Sequence, residues 1–156
     1  MLKIRKILCP TDFSEHSRAA VPYALDLAGK FQAELHVVHV IDEAYQYWTA
    51  VGDGAAPVVF SESELLDAAQ KQMDEFIDKN LKNVEIPLVT RLISGRPFLE
   101  IIRYADQEKM DLIVIGTHGH GALAAMLLGS VTERVVRKSP CPVLTVRHPE
   151  HKFEMP

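Results

Sequence analysis

The chain is poor in the residues that staple a fold, span a membrane or grip a nucleic acid. Of 156 residues only two are cysteines, Cys9 and Cys141. That argues against a disulfide-built scaffold, and both thiols, set in or beside apolar runs, are expected to be free and buried in a reducing compartment. No apolar run approaches the ~20 residues of a membrane-spanning helix. The opening "MLKIRKILCP" passes straight into a strand-like run, without the apolar core and small-residue cleavage site of a secretory signal. A cytoplasmic location and no membrane partner are the expectations. Seventeen Lys and Arg against 21 Asp and Glu give a net charge of −4, which leaves no electrostatic footprint for DNA or RNA. Aromatics are scarce and three of them, Tyr45, Tyr47 and Trp48, cluster in the irregular stretch 43–60. There they would cover the domain's own sheet, or form a partner surface or a lid beside Val40.

The most informative absence is local. No lysine or arginine occurs between Asp111 and Glu133, although "DLIVIGTHGHGALAAMLLGSVTERVV" runs from an apolar strand through a glycine-rich loop into a helix, the usual layout of a phosphate site. The loop lacks G-x-x-x-x-G-K-[ST], so the lysine that normally lies on the phosphates is missing. "GHGALA", Gly119 to Ala124, has the letters of a dinucleotide fingerprint, but it follows the fourth strand instead of the first. "HGH" misses the spacing of a nucleotidylyl transferase motif by one residue. No G-x-S-x-G elbow occurs, which removes the commonest α/β-hydrolase signature.

What is present is a regular alternation. Strands are expected over 4–9, 33–42, 85–95, 111–116 and 141–147. Helices are expected over 14–30, from Ser61 or Ser63 to 82, over 96–110 with Pro97 in the first turn, and over 130–139. Pro10 should end pairing of the first strand, Pro22 should bend the first helix mildly, and Gly29 should mark its end. "DLIVIG" is the most apolar strand and therefore central. A β-α-β order of this kind argues for a parallel sheet covered on both faces. Ligands bind such sheets beyond the carboxyl ends of strands, where the winding reverses. The first strand ends in "PTDFS" and the fourth in "GTHGHG", and these loops meet there if the two strands are neighbours. Residues 1–148 are expected to form one domain, followed by a polar tail over 149–156.

A glycine loop can hold an anion without a cation. Glycine lets the backbone approach an oxyanion closely, and a helix beginning at Gly129-Ser130 offers amides with no internal partner. The competing reading is that "SVTE", Ser130 to Glu133, is a capping box that satisfies the helix start by itself. Asp12 has a bland alternative too, as the residue closing an Asx-turn in "PTDFS".

Gly116, Gly119 and Gly129 are separated by two and then nine residues, and Ser130 follows. With this G-x2-G-x9-G-S pattern, and with "KILCPTDFSEHS" and "LLGSVTERVVRKSPCPVLTV", the sequence resembles the universal stress protein family, in its nucleotide-binding branch, over nearly the whole chain. The resemblance implies a three-layer α/β/α, Rossmann-like fold with a five-stranded parallel sheet in the order 3-2-1-4-5. It implies ATP or a related adenine nucleotide as ligand, with Asp12 and Val40 at the adenine. Pro10, Thr11, Ile115 and Gly116 would border the adenosine. Gly119, Gly129, Ser130, Val131 and Thr132 would hold the phosphates. A magnesium or manganese ion would ride on the phosphates. A homodimer through the edge strand 142–147 is likewise implied.

The chain departs from the family where a basic residue often follows the second motif glycine, since His120 stands there. His118 and His120 would then serve the phosphate side, favouring binding below pH ~6.5. As metal ligands they make only half a site, with no third ligand close in sequence. His36 and His39 fall on opposite faces of a strand and cannot chelate together. An enzyme would want a positioned base and a cation for developing charge. Asp12 is the one acid near the site, so the expectation is a stress or signalling module that is not an enzyme, with at most weak ATP hydrolysis. A ligand-free dimeric scaffold is the alternative.

Overall fold

The computed structural model describes residues 1–42, 60–118 and 128–149. The aromatic cluster Tyr45, Tyr47 and Trp48, the loop residues Gly119 and His120, and almost all of the tail lie outside them. The elements are β1 (Lys6–Pro10), α1 (Glu15–Arg18), α2 (Val21–Phe31), β2 (Glu34–Ile41), α3 (Glu62–Asn80), β3 (Leu88–Ser94), α4 (Pro97–Gln107), β4 (Leu112–Gly116), α5 (Ser130–Lys138) and β5 (Val143–Val146). The five strands are all parallel and lie in the order β3-β2-β1-β4-β5, the expected Rossmann-like arrangement.

The period of two along each strand divides the core between the two faces. Leu35 and Val37 of β2 face one side with Val21, Ala24 and Ala28 of α2 and Met73 and Phe76 of α3. Val38 and Val40 face the other with Ile101, Tyr104 and Ala105 of α4 and Val135 of α5. Helices therefore cover both faces, which is why the central strands can be apolar throughout.

Three local expectations are corrected. The helix expected over 14–30 is two helices. Ser14 caps α1, its hydroxyl accepting from Ser17 N at 3.2 Å. A new start follows at Ala20, where Pro22 sits in the first turn and its missing N–H costs nothing. Gly29 does not end α2, which runs on to Phe31 and closes on Gln32 in the left-handed region, φ 53°. Pro10 remains paired, opposite Val38, as the last residue of β1. Of the two serines offered for α3, Ser61 is the cap. Its hydroxyl accepts from Glu64 N at 3.2 Å, while Glu64 Oε2 accepts from Ser61 N at 2.7 Å. Those hydrogen bonds lower the Glu64 pKa.

Both cysteines are free. Burial pushes the Cys9 thiol up to about 12. Cys141 is half-buried and also raised, by desolvation that a hydrogen bond from Ser139 opposes. Only a thiolate attacks an aromatic disulfide reagent, so native protein at pH 8 should be labelled at Cys141 first, with Cys9 reacting only as the chain opens. Equal labelling rates for the two thiols in native protein would contradict this packing.

Candidate functional site

β1 pairs with β2 on one side and β4 on the other, with Ile7 opposite Leu112 and Leu8 opposite Ile113. The winding reverses between β1 and β4, so the loops beyond their carboxyl ends lie side by side at the switch point.

The loop after β1 is held by its own side chains. Pro10 and Thr11 are buried. Thr11 N donates to Val38 O at 2.9 Å. Thr11 Oγ1 accepts from Phe13 N at 3.0 Å and lies 3.1 Å from Ser17 Oγ. Phe13 has φ 64°, a conformation costly for a bulky residue. Its ring is buried between His39, 4.3 Å away, and Phe76, 5.7 Å away, and that apolar anchorage offsets the strain. Asp12 is half-buried, and its Oδ1 accepts from Ser14 N at 3.0 Å and from the Ser14 hydroxyl. The Asx-turn is therefore formed, and the carboxylate of Asp12 is committed to it.

Gly116 ends β4 under α1. A Cβ on Gly116 would stand 2.5 Å from His16 O and 3.1 Å from Ser17 Cα. The lack of a side chain is thus a packing requirement, and it lets α1 close over the end of β4. Val40 and Ile115 are buried in the apolar cluster on the other face.

α5 begins where the glycine pattern places it, but without the capping box. Its N-cap is Gly129, φ −65° and ψ 156°, with no side-chain hydrogen bond to the helix start. Ser130 is consequently the first helical residue, one position too late to cap. Glu133 N donates to Gly129 O at 2.9 Å, and the Glu133 carboxylate pairs with Arg137 at 2.9 Å, a helical turn away from the start. Two bonds tie α5 to β4. Gly129 N donates to Thr117 O at 2.7 Å, and the buried Thr132 Oγ1 donates to Gly116 O at 2.8 Å. The Thr132 hydroxyl is therefore occupied structurally. Ser130 is exposed and Val131 half-buried. Arg134 turns aside to lie over the Phe98 ring, 4.8 Å from its centre.

The fold thus brings Pro10, Thr11, Asp12, Ile115, Gly116, Gly129, Ser130, Val131 and Thr132 to one end of β1 and β4, with Val40 at the end of the adjoining β2. His118 lies there as well, its Nδ1 3.0 Å from Thr117 Oγ1. Its ring is 6.1 Å from that of His16, which is 5.2 Å from His148. Sequence inspection missed His16 and His148, since nothing in linear spacing connects them to His118. His36 and His39 do lie on opposite faces. His36 bonds Tyr104 Oη at 2.8 Å on the α4 side, and His39 stacks on Phe13.

The family model described as "Universal stress protein family" matches residues 3–147. Universal stress protein MJ0531 of Methanocaldococcus jannaschii is 34% identical over 146 residues, covering 94% of this chain and 84% of the relative. The solved structure of MJ0577, from the same organism, superposes with a TM-score of 0.79 at 31% identity, over 98% of this chain and 100% of that one. A universal stress protein solved in complex with cAMP gives a TM-score of 0.68 at 24% identity, over 94% of this chain and 98% of the other.

Proposed function

The chain belongs to the universal stress protein family, and from that premise we propose that it is an ATP-binding signalling module that acts as a homodimer and carries no catalytic activity of its own. The observation that carries this reading is the start of α5. It is an uncapped helix N-terminus at the switch point, set against the carboxyl ends of β1 and β4. Its first amides lack an internal partner, and the helix dipole favours negative charge there. The one acid in its first turn, Glu133, is drawn off by Arg137. A phosphate at this position receives charge-assisted hydrogen bonds of roughly 1.5–3 kcal/mol each. Three such bonds with an enclosed base reach the ~8 kcal/mol of a micromolar complex without a lysine. A magnesium or manganese ion would be held by the phosphates and not by protein carboxylates.

The universal stress protein in complex with cAMP is kin in fold. The choice of ATP here rests on the glycine spacing and the open helix start. Two rival readings lose ground on particular residues. A ligand-free scaffold needs the helix to cap itself, and the Ser130–Glu133 box is not formed. An ATPase needs a base, and the carboxylate of Asp12 is committed to Ser14. For the dimer, support comes from β5 at the sheet edge, where Leu144 is exposed on a strand that pairs on one side only among the described residues.

Mass spectrometry of small molecules released from freshly purified protein tests the ligand, followed by ATP titration of the stripped chain. ATP or ADP released in near-stoichiometric amount, with micromolar rebinding and no steady turnover, is expected. No heat of binding at millimolar ATP would overturn the reading. Light scattering should give twice the chain mass, falling to the monomer in Leu144→Asp.

A further inference from the structure

We propose that the cleft between α1 and α3, lined by Phe13, Arg18, Gln72, Glu75, Phe76 and Lys79, binds a small free α-amino acid. Gln72, Glu75, Phe76 and Lys79 recur at helical spacing and so form one stripe along α3. Phe13 and Arg18 face that stripe from either end of the turn that carries α1. Phe13 and Phe76 belong to the apolar cluster on the α2 and α3 side of the sheet, whereas Val40 and Ile115 belong to the other side. None of the lining residues is among those assigned to the nucleotide, and this inference does not rest on that reading.

Arg18 is what calls for a ligand. It is half-buried, and among the described residues its Nε is a buried side-chain nitrogen with no hydrogen-bond partner. Buried donors of this kind are nearly always satisfied, and a guanidinium is costly to leave without an acceptor. The ion pairs of the described residues leave out Arg18, and they leave out Glu75 and Lys79 as well. The backbone beneath Arg18 is fixed, with Arg18 N donating to Ser14 O at 3.0 Å and Ser17 Oγ lying 3.1 Å from Thr11 Oγ1.

The chemistry of the lining selects the ligand. A carboxylate in the cleft would draw the Nε–Nη edge of Arg18 round to it and take two parallel hydrogen bonds. Lys79 adds a second positive charge. Glu75 would repel a plain anion, but it suits a ligand whose carboxylate stands next to an ammonium, and the Gln72 amide oxygen can accept from the same group. The buried rings of Phe13 and Phe76 offer an apolar floor for a short side chain. The volume is about 130 Å³. A cavity of roughly 150 Å³ admits a ligand of about six heavy atoms, which is the size of alanine, with valine at the upper end.

The test titrates the full chain, stripped of nucleotide, with L-alanine, L-valine and propionate, following backbone amide shifts by NMR. Saturating shifts confined to α1 and α3, with a Kd of roughly 0.1–1 mM for the amino acids, are expected. Propionate, which lacks the ammonium, should bind about tenfold more weakly. Arg18→Gln should weaken alanine by about tenfold or more. Glu75→Gln should bring alanine and propionate to within about twofold of each other, and because Glu75 is exposed this variant keeps the fold even if Arg18→Gln does not. No saturable shift with either amino acid overturns the proposal. So does propionate binding as tightly as alanine, alanine binding unchanged in both variants, or alanine displaced one for one by ATP, which would place it in the nucleotide site. Alanine binding in a chain that takes no ATP would leave this site standing while removing the nucleotide reading.

Discussion

Gly116→Ala is expected to lower the Tm by about 6–12 °C even in the absence of any ligand. The added methyl would lie 2.5 Å from His16 O and 3.1 Å from both His16 C and Ser17 Cα. These are backbone atoms, so no side chain can swing aside. Either β4 or α1 must move. Moving α1 loosens the 3.1 Å approach of Ser17 Oγ to Thr11 Oγ1. Moving β4 disturbs the bond from Thr132 Oγ1 to Gly116 O, which fastens α5. Overpacking of this kind costs roughly 1–3 kcal/mol, and the coupled hydrogen bonds put this site at the upper end. At this chain length each kcal/mol shifts Tm by about 2–4 °C. Calorimetry of the nucleotide-free protein is the measurement. If the variant melts with the wild type and merely binds ATP less well, then the first glycine of the pattern serves the ligand and its packing role is refuted.

That distinction bears on what the sequence revealed. The alternation of strands and helices was legible because each element carries its own period and its own punctuation, and the sheet order followed from the resemblance to a known family. Boundaries slipped wherever two signals competed. Residues 14–30 keep helical spacing throughout, so the break at Ala19-Ala20 left no mark except Pro22, which reads equally as a mild bend or as the first turn of a new helix. The capping box at Ser130 was a sound local reading that tertiary bonding overrode. Gly129 N is claimed by Thr117 O, which sets the helix start one residue early and leaves Glu133 to Arg137. The Asx-turn at Asp12 was legible because such turns need only neighbours in sequence. The contacts of the His16 ring with His118 and His148 were not, because they exist only once α1 and the segments after β4 and β5 have been folded to one end of the sheet.

Gly129→Asp should separate the stability of α5 from its use. The backbone at this N-cap, φ −65° and ψ 156°, is open to any L-residue, so the aspartate brings no backbone strain and is expected to accept from the amide of Val131 or Thr132. A cap that exchanges glycine for aspartate gains only a few tenths of a kcal/mol, and the helix dipole adds about 0.3–1. Tm should therefore hold or rise by about 1–3 °C. ATP affinity should move the opposite way. The carboxylate takes an amide from the phosphate and sets a negative charge beside it, a loss of about 2–3 kcal/mol, or roughly 30–100-fold in Kd. Gly129→Ala, which adds a methyl and no charge, should bind within about threefold of the wild type. Opposed signs matter here, because a variant that is more stable and binds less cannot have lost its ligand by unfolding. Were Gly129→Asp to bind ATP as tightly as the wild type, the helix start would not be the phosphate grip, and the affinity would have to come from the glycine loop between Gly119 and Leu127.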